Sequence, residues 1–241
     1  MCRHLAYLGP PIALRTLLFD APHALVQQAR TPRFQHNGRD NPDGWGVGWS
    51  FAGDSRAEHQ RYRAATKMWD DTSFTGDEQA TTVLAAARYA SPGSELRISN
   101  AAPFASGRWL FSLNGFVSDF REEFGARLRA SITPARTAGI EGDTDSEVVF
   151  ALVLDRLDAG ASAGEALTDV ARLVRTESTG ALNLLLTDGR DVTATVIGNS
   201  LYLRTEPGLT LASEPLDDAA GWVEIDTGSL VENDCVSGLG L

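Results

Sequence analysis

The chain has 241 residues, near the upper size limit of one domain, and its 43% hydrophobic and 22% charged residues lie close to the globular average. Disorder, collagen and coiled coil are thereby excluded. Lys and Arg total 21 against 32 Asp and Glu, a net charge of −11, which argues against nucleic acid or an anionic membrane as the main partner. We predict a single domain over residues 2–241.

The N-terminus and the cysteine count indicate the cellular location of the protein and limit its possible disulfides and metal sites. Cys2 and Cys235 are too few for a disulfide framework or a thiolate metal site. The first residues have no basic region ahead of a long apolar core, so no signal peptide is predicted. No apolar run is long enough to span a bilayer. We expect a cytoplasmic protein without metal or cofactor, and the sequence leaves open whether it forms a homo-oligomer.

In the first half of the chain, strands alternate with turn-rich segments. Residues 2–8 predict a strand that ends in a Gly-Pro-Pro turn, and leucines at helical spacing follow at positions 14, 17 and 18. After a polar segment, residues 44–49 form a strand pattern in which glycines alternate with bulky residues, and residues 61–65 are expected to pair with it. Further strands are predicted over residues 83–90 and 109–113, the latter ending at Asn114-Gly115, a strong turn signal.

In the second half, two helices precede a set of short strands. Thr144 and Glu147 have the spacing of a capping box, which predicts a helix start, and a second helix is predicted over residues 163–175. This order predicts an α+β fold with mainly antiparallel sheets covered by helices. The predicted strands span residues 182–186, 192–197, 200–203, 209–212 and 222–225.

Cys2 is a candidate nucleophile because of its position. If Met1 is removed, the thiol and a free α-amino group belong to the same residue. An α-amino group has an unperturbed pKa of about 7.7–8.0, so it can accept and return a proton near neutral pH. Such a nucleophile carries its own base and needs no His–Asp pair.

Two other interpretations of Cys2 stay open. Cys2 and His4 are two residues apart in a predicted strand and could form a thiol–imidazole dyad, or both could be structural.

Asp143, Asp145 and Glu147 resemble part of a calcium-binding loop, but the turn glycine and the later ligands of such a loop are missing. Acidic residues favoured at a helix N-terminus explain them better.

Four separated motifs occur in order along the chain: Met1-Cys2, Arg88-Tyr89-Ala90-Ser91-Pro92-Gly93, Leu113-Asn114-Gly115 and Gly142-Asp143-Thr144-Asp145-Ser146-Glu147. Together they resemble the glutaminase domain of the class II glutamine amidotransferases, which are N-terminal-nucleophile hydrolases. Each motif is weak alone, and their order and spacing carry the resemblance over most of the chain. The resemblance implies a four-layer αββα sandwich.

The resemblance also implies roles for individual residues. Cys2 would be the nucleophile, and the side chain of Asn114 and the backbone N–H of Gly115 would form the oxyanion hole. Arg88 would bind the α-carboxylate of the substrate, for which a planar guanidinium is well suited. Asp145 would hold the α-amino group.

Within the family, three further segments resemble the ergothioneine-biosynthesis amidohydrolases, which cleave the γ-glutamyl amide of γ-glutamyl-hercynylcysteine sulfoxide to glutamate and hercynylcysteine sulfoxide. That substrate carries a quaternary ammonium, which an acidic protein with five tryptophans could bind by cation–π contact. The segments are residues 1–9, 41–49 and 213–218.

The chain departs from the family pattern at three positions near the predicted site. Tyr89 stands where many members have Trp, and Pro92 and Leu113 stand where they have His. The last two changes remove polar groups, which argues against ordinary specificity for free glutamine but leaves the thiol chemistry intact.

Two alternative functions remain compatible with the sequence. The chain ends where the glutaminase domain of the family ends, so a separate glutaminase subunit that supplies ammonia to a synthase is one alternative. A non-catalytic module that binds small molecules on the same fold is the other. Retention of Met1 would block the amine and favour the module.

Overall fold

Two β-sheets packed face to face form the centre of the computed structural model, which describes residues 2–35, 39–51 and 59–240. Every strand pairing within them is antiparallel. Apolar side chains such as Ala6, Leu84, Leu110 and Leu185 fill the space between the sheets. Burial of this layer from both sides is what holds the two sheets together.

The first sheet has seven strands: β1 (Arg3–Ala13), β2 (Trp45–Ser50), β3 (Gln60–Ala64), β4 (Gln79–Ala87), β9 (Tyr202–Arg204), β10 (Leu209–Ala212) and β11 (Val223–Glu224). Their order is β11-β9-β10-β1-β4-β2-β3. Arg3 is paired with Ala87, so the start of β1 lies beside the end of β4. The predicted pairing of residues 61–65 with the glycine-rich strand is confirmed, because β3 pairs with β2.

The second sheet has six strands: β5 (Phe104–Ser106), β6 (Trp109–Gly115), β7 (Leu182–Thr187), β8 (Val192–Val196), β12 (Ser229–Glu232) and β13 (Cys235–Gly238). Their order is β13-β12-β8-β7-β6-β5. Alternation along β6 sends Phe111 and Leu113 toward the helices and Leu110 toward the first sheet.

Helices cover the outer face of each sheet and complete a four-layer αββα sandwich, as the family resemblance implies. The outer face of the first sheet packs against a π-helical turn (Thr16–Asp20) and α1 (Leu25–Arg30). The second sheet is covered by α2 (Glu123–Ala130), α3 (Pro134–Thr137), α4 (Asp145–Asp158) and α5 (Ala163–Arg175).

No helix in the described part of the chain is long and apolar enough to cross a membrane.

Three local predictions were wrong in detail. β1 continues through the predicted Gly-Pro-Pro turn, and a shift of register between Leu8 and Ile12 accommodates it. Asn114 and Gly115 belong to β6 opposite Asn183 and Leu182, because pairing with β7 overrides their turn propensity. Thr144 caps α4, but the carboxylate of Glu147 accepts from backbone N–H groups of residues 141 and 142 instead of completing a capping box.

Candidate active site

A cavity of about 550 Å³ opens where the ends of the two sheets meet the start of α4. Cys2, Arg88, Gly115 and Asp145 all line it. Four of the five residues singled out in the sequence are therefore brought together from segments far apart in the chain. A ligand pocket for a molecule of metabolite or drug size typically occupies about 300–1,000 Å³.

Cys2 lies half-buried at the wall of this cavity, directly before β1. Its Sγ is 3.9 Å from the carbonyl oxygen of Tyr89, and its own carbonyl accepts a hydrogen bond of 2.8 Å from Arg3 Nε. The thiol forms no disulfide. Met1, whose removal the nucleophile hypothesis requires, lies outside the described residues.

A buried ion pair fixes the backbone beside Cys2. Arg3 Nη1 lies 3.2 Å from Glu214 Oε1, and both side chains are almost completely excluded from solvent. Glu214 also accepts hydrogen bonds from the backbone N–H groups of Arg33 and Phe34. Since an unpaired buried charge is costly, this arrangement ties residues 33–34 to the start of β1. In the sequence, residues 213–218 stand out only as a segment shared with the family, and neither Arg3 nor Glu214 has a predicted role.

Arg88 follows the last residue of β4 and is held by fixed acceptors. Its Nη1 donates to the carbonyl oxygens of Asp43 at 3.2 Å and Glu95 at 3.3 Å, and its Nη2 donates to Ser94 Oγ. The side chain is buried yet lines the cavity. These bonds hold the guanidinium in one orientation, and its positive charge makes it a suitable partner for a carboxylate.

Asp145 is the first residue of α4, after the Thr144 cap. Its Oδ2 accepts from the backbone N–H of Val117 at 2.8 Å, and its Oδ1 accepts from the backbone N–H of Ser146 at 2.7 Å. Burial raises the pKa of this carboxyl, while those hydrogen bonds and the charge of Arg88 oppose the rise. Asp145 and Arg88 therefore place a carboxylate and a guanidinium on one cavity.

Gly115 lines the cavity at the end of β6, and no other residue fits its backbone position. A Cβ at this position would lie 1.7 Å from the carbonyl oxygen of Ala181, and its φ is +156°. The close approach of residue 181 reflects the hydrogen bond that its carbonyl accepts from Phe116 N–H.

Asn114 is fully buried and is not among the residues that line the cavity. Its Nδ2 donates to Ser213 Oγ at 3.2 Å, and its Oδ1 accepts from Asn199 Nδ2 at 3.2 Å. Asn114 shares the inner face of β6 with Ser112, which hydrogen-bonds to His4 on β1. His4 and Asn114 therefore lie on the strand faces that meet between the sheets, and Cys2 precedes His4 by two residues.

The structure gives the alternative Cys2–His4 dyad no support. His4 is completely buried between the sheets, where its Nδ1 lies 3.0 Å from Ser112 Oγ, and it does not line the cavity. Burial, and to a lesser degree the charge of Arg3, lowers the pKa of His4 to about 3. Its imidazole is therefore neutral at physiological pH and belongs to the packing between the sheets.

Asp143 also lines the cavity, although the sequence predicts no role for it beyond membership of the Gly142–Glu147 motif and an acidic helix start. It accepts hydrogen bonds from Asn100 Nδ2 at 2.7 Å and from Arg121 Nη2 at 3.0 Å. Burial would raise its pKa, but the hydrogen bonds from Arg121 and Asn100 outweigh that effect and lower it. Among the residues described, no group of three or more His, Cys, Asp or Glu side chains is arranged to hold a metal ion.

The aromatic lining of the cavity differs from the expectation of a tryptophan cradle. None of the tryptophans lines it, because these large side chains pack against the outer cores of the two sheets. The aromatic rings at the cavity are those of Tyr89, Phe104, Phe116 and Phe120.

Comparison with known proteins shows the family of the chain. Residues 14–209 match the family of class-II glutamine amidotransferases. The chain is 37% identical over 237 residues to the γ-glutamyl-hercynylcysteine sulfoxide hydrolase of Mycolicibacterium smegmatis, covering 96% of this chain and 95% of that protein. The hydrolase of the same name from Mycobacterium tuberculosis is 36% identical, covering 96% of this chain and 92% of that protein.

Solved structures support the same fold. A class-II glutamine aminotransferase domain protein from Silicibacter pomeroyi superposes with a TM-score of 0.69 at 24% identity, covering 99% of both chains. The family match spans most of the chain, and the fold and the cavity agree with it. This chain belongs to the class-II glutamine amidotransferase family.

Proposed function

We propose that this protein hydrolyses the γ-glutamyl amide bond of γ-glutamyl-hercynylcysteine sulfoxide, releasing glutamate and hercynylcysteine sulfoxide. The observation that carries the proposal is the similarity, over almost the full length of both proteins, to hydrolases with that name. The cavity supports it because a cysteine, an arginine and an aspartate line one space of sufficient volume.

In the proposed reaction, Cys2 is the nucleophile once Met1 has been removed. The α-amino group accepts the thiol proton, and the sulfur attacks the γ-carbonyl carbon to form a C–S bond and a tetrahedral oxyanion. The oxyanion collapses, the C–N bond breaks, and the amine returns the proton to the leaving nitrogen. Water then attacks the thioester, which restores the thiol and releases glutamate.

The glutamyl end of the substrate is assigned to Arg88 and Asp145. Arg88 would bind the α-carboxylate, and the fixed acceptors on its guanidinium favour one orientation. Asp145 would accept hydrogen bonds from the α-ammonium group, and its ionised form would add charge attraction. Burial raises the pKa of Asp145, whereas the backbone N–H groups of Val117 and Ser146 and the charge of Arg88 favour the ionised form.

The oxyanion is assigned to the backbone N–H of Gly115 and the side chain of Asn114. Donors that are fixed before the reaction stabilise developing charge without a cost of reorganisation. Support comes from the position of Gly115 in the cavity wall, from Asn114 directly before it in β6, and from the hydrogen bonds that fix the Asn114 amide.

The part of the substrate beyond the amide would occupy the rest of the cavity. Phe116, which is 42% exposed, lies in its wall, and Asp119 and Glu122 also line the cavity. Aromatic faces and carboxylates are suitable partners for a quaternary ammonium group. These residues therefore replace the tryptophans as the candidates for contacts with the leaving group.

Competing substrates test the proposal. Purified protein with Met1 removed is incubated separately with γ-glutamyl-hercynylcysteine sulfoxide and with free glutamine, and glutamate release is followed by mass spectrometry. We expect kcat/KM for the sulfoxide to exceed that for glutamine by more than about tenfold, or about 1.4 kcal/mol of differential transition-state binding. Preference for glutamine, with a rate that rises when a synthase is added, would instead identify a glutaminase subunit.

A further inference from the structure

Two buried side chains hold the amide of Asn114 from opposite ends. Asn199 Nδ2 donates to Asn114 Oδ1 at 3.2 Å and to its backbone carbonyl at 2.9 Å. At the other end, Ser213 Oγ accepts from Asn114 Nδ2 at 3.2 Å. Asn114 and Ser213 are fully buried and Asn199 nearly so. Neither Asn199 nor Ser213 lines the cavity.

These contacts fix which end of the amide carries the oxygen. Ser213 Oγ accepts from His4 N–H at 3.0 Å and lies 3.2 Å from the His4 carbonyl, to which it donates. Its remaining capacity is that of an acceptor, which suits only the NH₂ end of Asn114. A flipped amide would place the NH₂ group of Asn114 against that of Asn199, leaving buried donors unsatisfied.

The fixed orientation leaves one donor available. A side-chain amide nitrogen carries two N–H groups, and Ser213 takes one of those on Asn114. The second N–H is the group that an oxyanion between the sheets would require. Its direction depends on Asn199 together with Ser213, because Asn199 holds the oxygen end of the amide while Ser213 holds the nitrogen end.

Asn199 is itself held rigidly by a third asparagine. Asn183 Oδ1 accepts from the backbone N–H groups of Ile197 and Asn199, and Asn183 Nδ2 donates to the carbonyl of Asn199 at 2.9 Å. Asn183 is also the β7 residue paired with Asn114 in the second sheet. The turn that carries Asn199 is therefore anchored to the strand beside the residue that it orients.

We propose that Asn199 is a positioning residue for the oxyanion donor. It holds the side chain of Asn114 so that Nδ2, rather than Oδ1, faces the developing negative charge, and it does not touch the substrate. Buried hydrogen bonds of this kind are strengthened by the low local dielectric. The proposal rests on the proposed function, since it assumes that Asn114 stabilises an oxyanion.

A double-mutant cycle tests this role. Asn199→Leu and Asn199→Ala are prepared alone and combined with Asn114→Ala, and glutamate release from γ-glutamyl-hercynylcysteine sulfoxide is measured. We expect the single substitutions to lower kcat by up to about 10²–10³, the effect of losing one oxyanion donor, with little change in KM. In the Asn114→Ala background the same substitutions should cause no further decrease.

Controls separate positioning from folding. Asn233→Ala removes an asparagine that bonds to Asp191 and to Val192 N–H in another turn, and should leave kcat unchanged. Thermal unfolding is recorded for every variant, and Asn199→Ser, which keeps one short donor, replaces the larger changes if they do not fold. An intermediate kcat is expected for it.

Other outcomes overturn the inference. A folded Asn199 variant with the wild-type kcat, or one that loses the same factor with and without Asn114, would show that Asn199 does not act through Asn114. In either case an active wild-type protein would leave the proposed function standing. A wild-type protein, freed of Met1, that hydrolyses no γ-glutamyl amide would overturn both proposals.

Discussion

At the scale of single residues, the two cysteines lie in different surroundings. Cys2 is half-buried at the cavity, whereas Cys235 is exposed on β13. We expect Cys2→Ala to keep the far-ultraviolet circular dichroism spectrum and lose glutamate release, because Cys235 does not line the cavity. Cys235→Ala is the matched control and should retain the wild-type rate. Appreciable turnover by Cys2→Ala would place the nucleophile elsewhere.

The oxyanion assignment predicts a loss in kcat. Asn114→Ala should lower kcat by roughly 10²–10³ through one lost donor, with KM changing much less. Steady-state kinetics of glutamate release give both constants, and thermal unfolding checks that the cavity left in the buried amide cluster has not unfolded the protein. An unchanged kcat would mean that the donor is another group.

Recognition of the α-carboxylate predicts a dependence on the shape of the guanidinium. Arg88→Lys keeps the charge but loses the planar fork, so we expect kcat/KM to fall by roughly 10–100-fold, the worth of one or two charged hydrogen bonds. Arg172→Lys on α5, outside the cavity, is the control for a change of the same chemistry. Equal kcat/KM for Arg88→Lys and wild type would remove Arg88 from the binding site.

At the scale of secondary structure elements, Gly115 determines how β6 and β7 meet at the cavity. Gly115→Ala would place a Cβ 1.7 Å from the carbonyl of Ala181, so the paired strands must separate there. We expect a loss of about 1–3 kcal/mol in the free energy of unfolding, measured in urea. Gly238→Ala, where a Cβ meets nothing within 4 Å, should cost much less. A Gly115→Ala variant as stable as wild type would contradict this steric argument.

Local sequence signals predicted some elements well and others not at all. The range of α5 was correct because a strongly amphipathic pattern follows a complete capping box formed by Ser162 and Glu165. α2 was missed because it lacks a side-chain cap and contains Gly125. β13 was missed because all its residues are exposed, so no alternation of burial marks it.

The residues of the candidate site likewise fall into those that the sequence predicts and those that it does not. Cys2, Arg88, Gly115 and Asp145 lie in short motifs that the sequence displays directly, and the fold brings them to one cavity. Residues such as Asn199 and Glu214 act through contacts with residues more than 80 positions away. These contacts depend on how the secondary structure elements pack, which neither composition nor local residue spacing reveals.

At the scale of the whole molecule, the packing of the two sheets makes stability depend on pH. His4 has a pKa of about 3 in the fold, mainly because it is buried, against an ordinary value of 6.5. Between these two pH values His4 is protonated in the unfolded chain but neutral in the folded one. The free energy of unfolding therefore rises with pH, and the contribution of His4 is lost on acidification. Within this pH range, His4 should contribute about 1.4 kcal/mol per pH unit to the slope of the free energy of unfolding against pH.

The contribution of His4 is measured by comparing two proteins. Urea unfolding is measured for wild type and His4→Gln at pH values between the two pKa values of His4, about 3 and 6.5. Comparing the two proteins cancels the effect of the carboxylates common to both. Wild type should show the steeper rise of the free energy of unfolding with pH. Parallel curves would indicate that His4 is solvated and titrates normally.

Direct trapping of the acyl-enzyme tests the central claim, that Cys2 attacks the γ-glutamyl carbonyl. The Cys235→Ala protein, with Met1 removed, is mixed with γ-glutamyl-hercynylcysteine sulfoxide, quenched in acid within one turnover and examined by intact-mass analysis and peptide mapping. We predict a mass increase of one γ-glutamyl group, located on Cys2 and lost on treatment with hydroxylamine. Glutamate release with no adduct on Cys2 at any quench time, or with the adduct on another residue, would contradict the account.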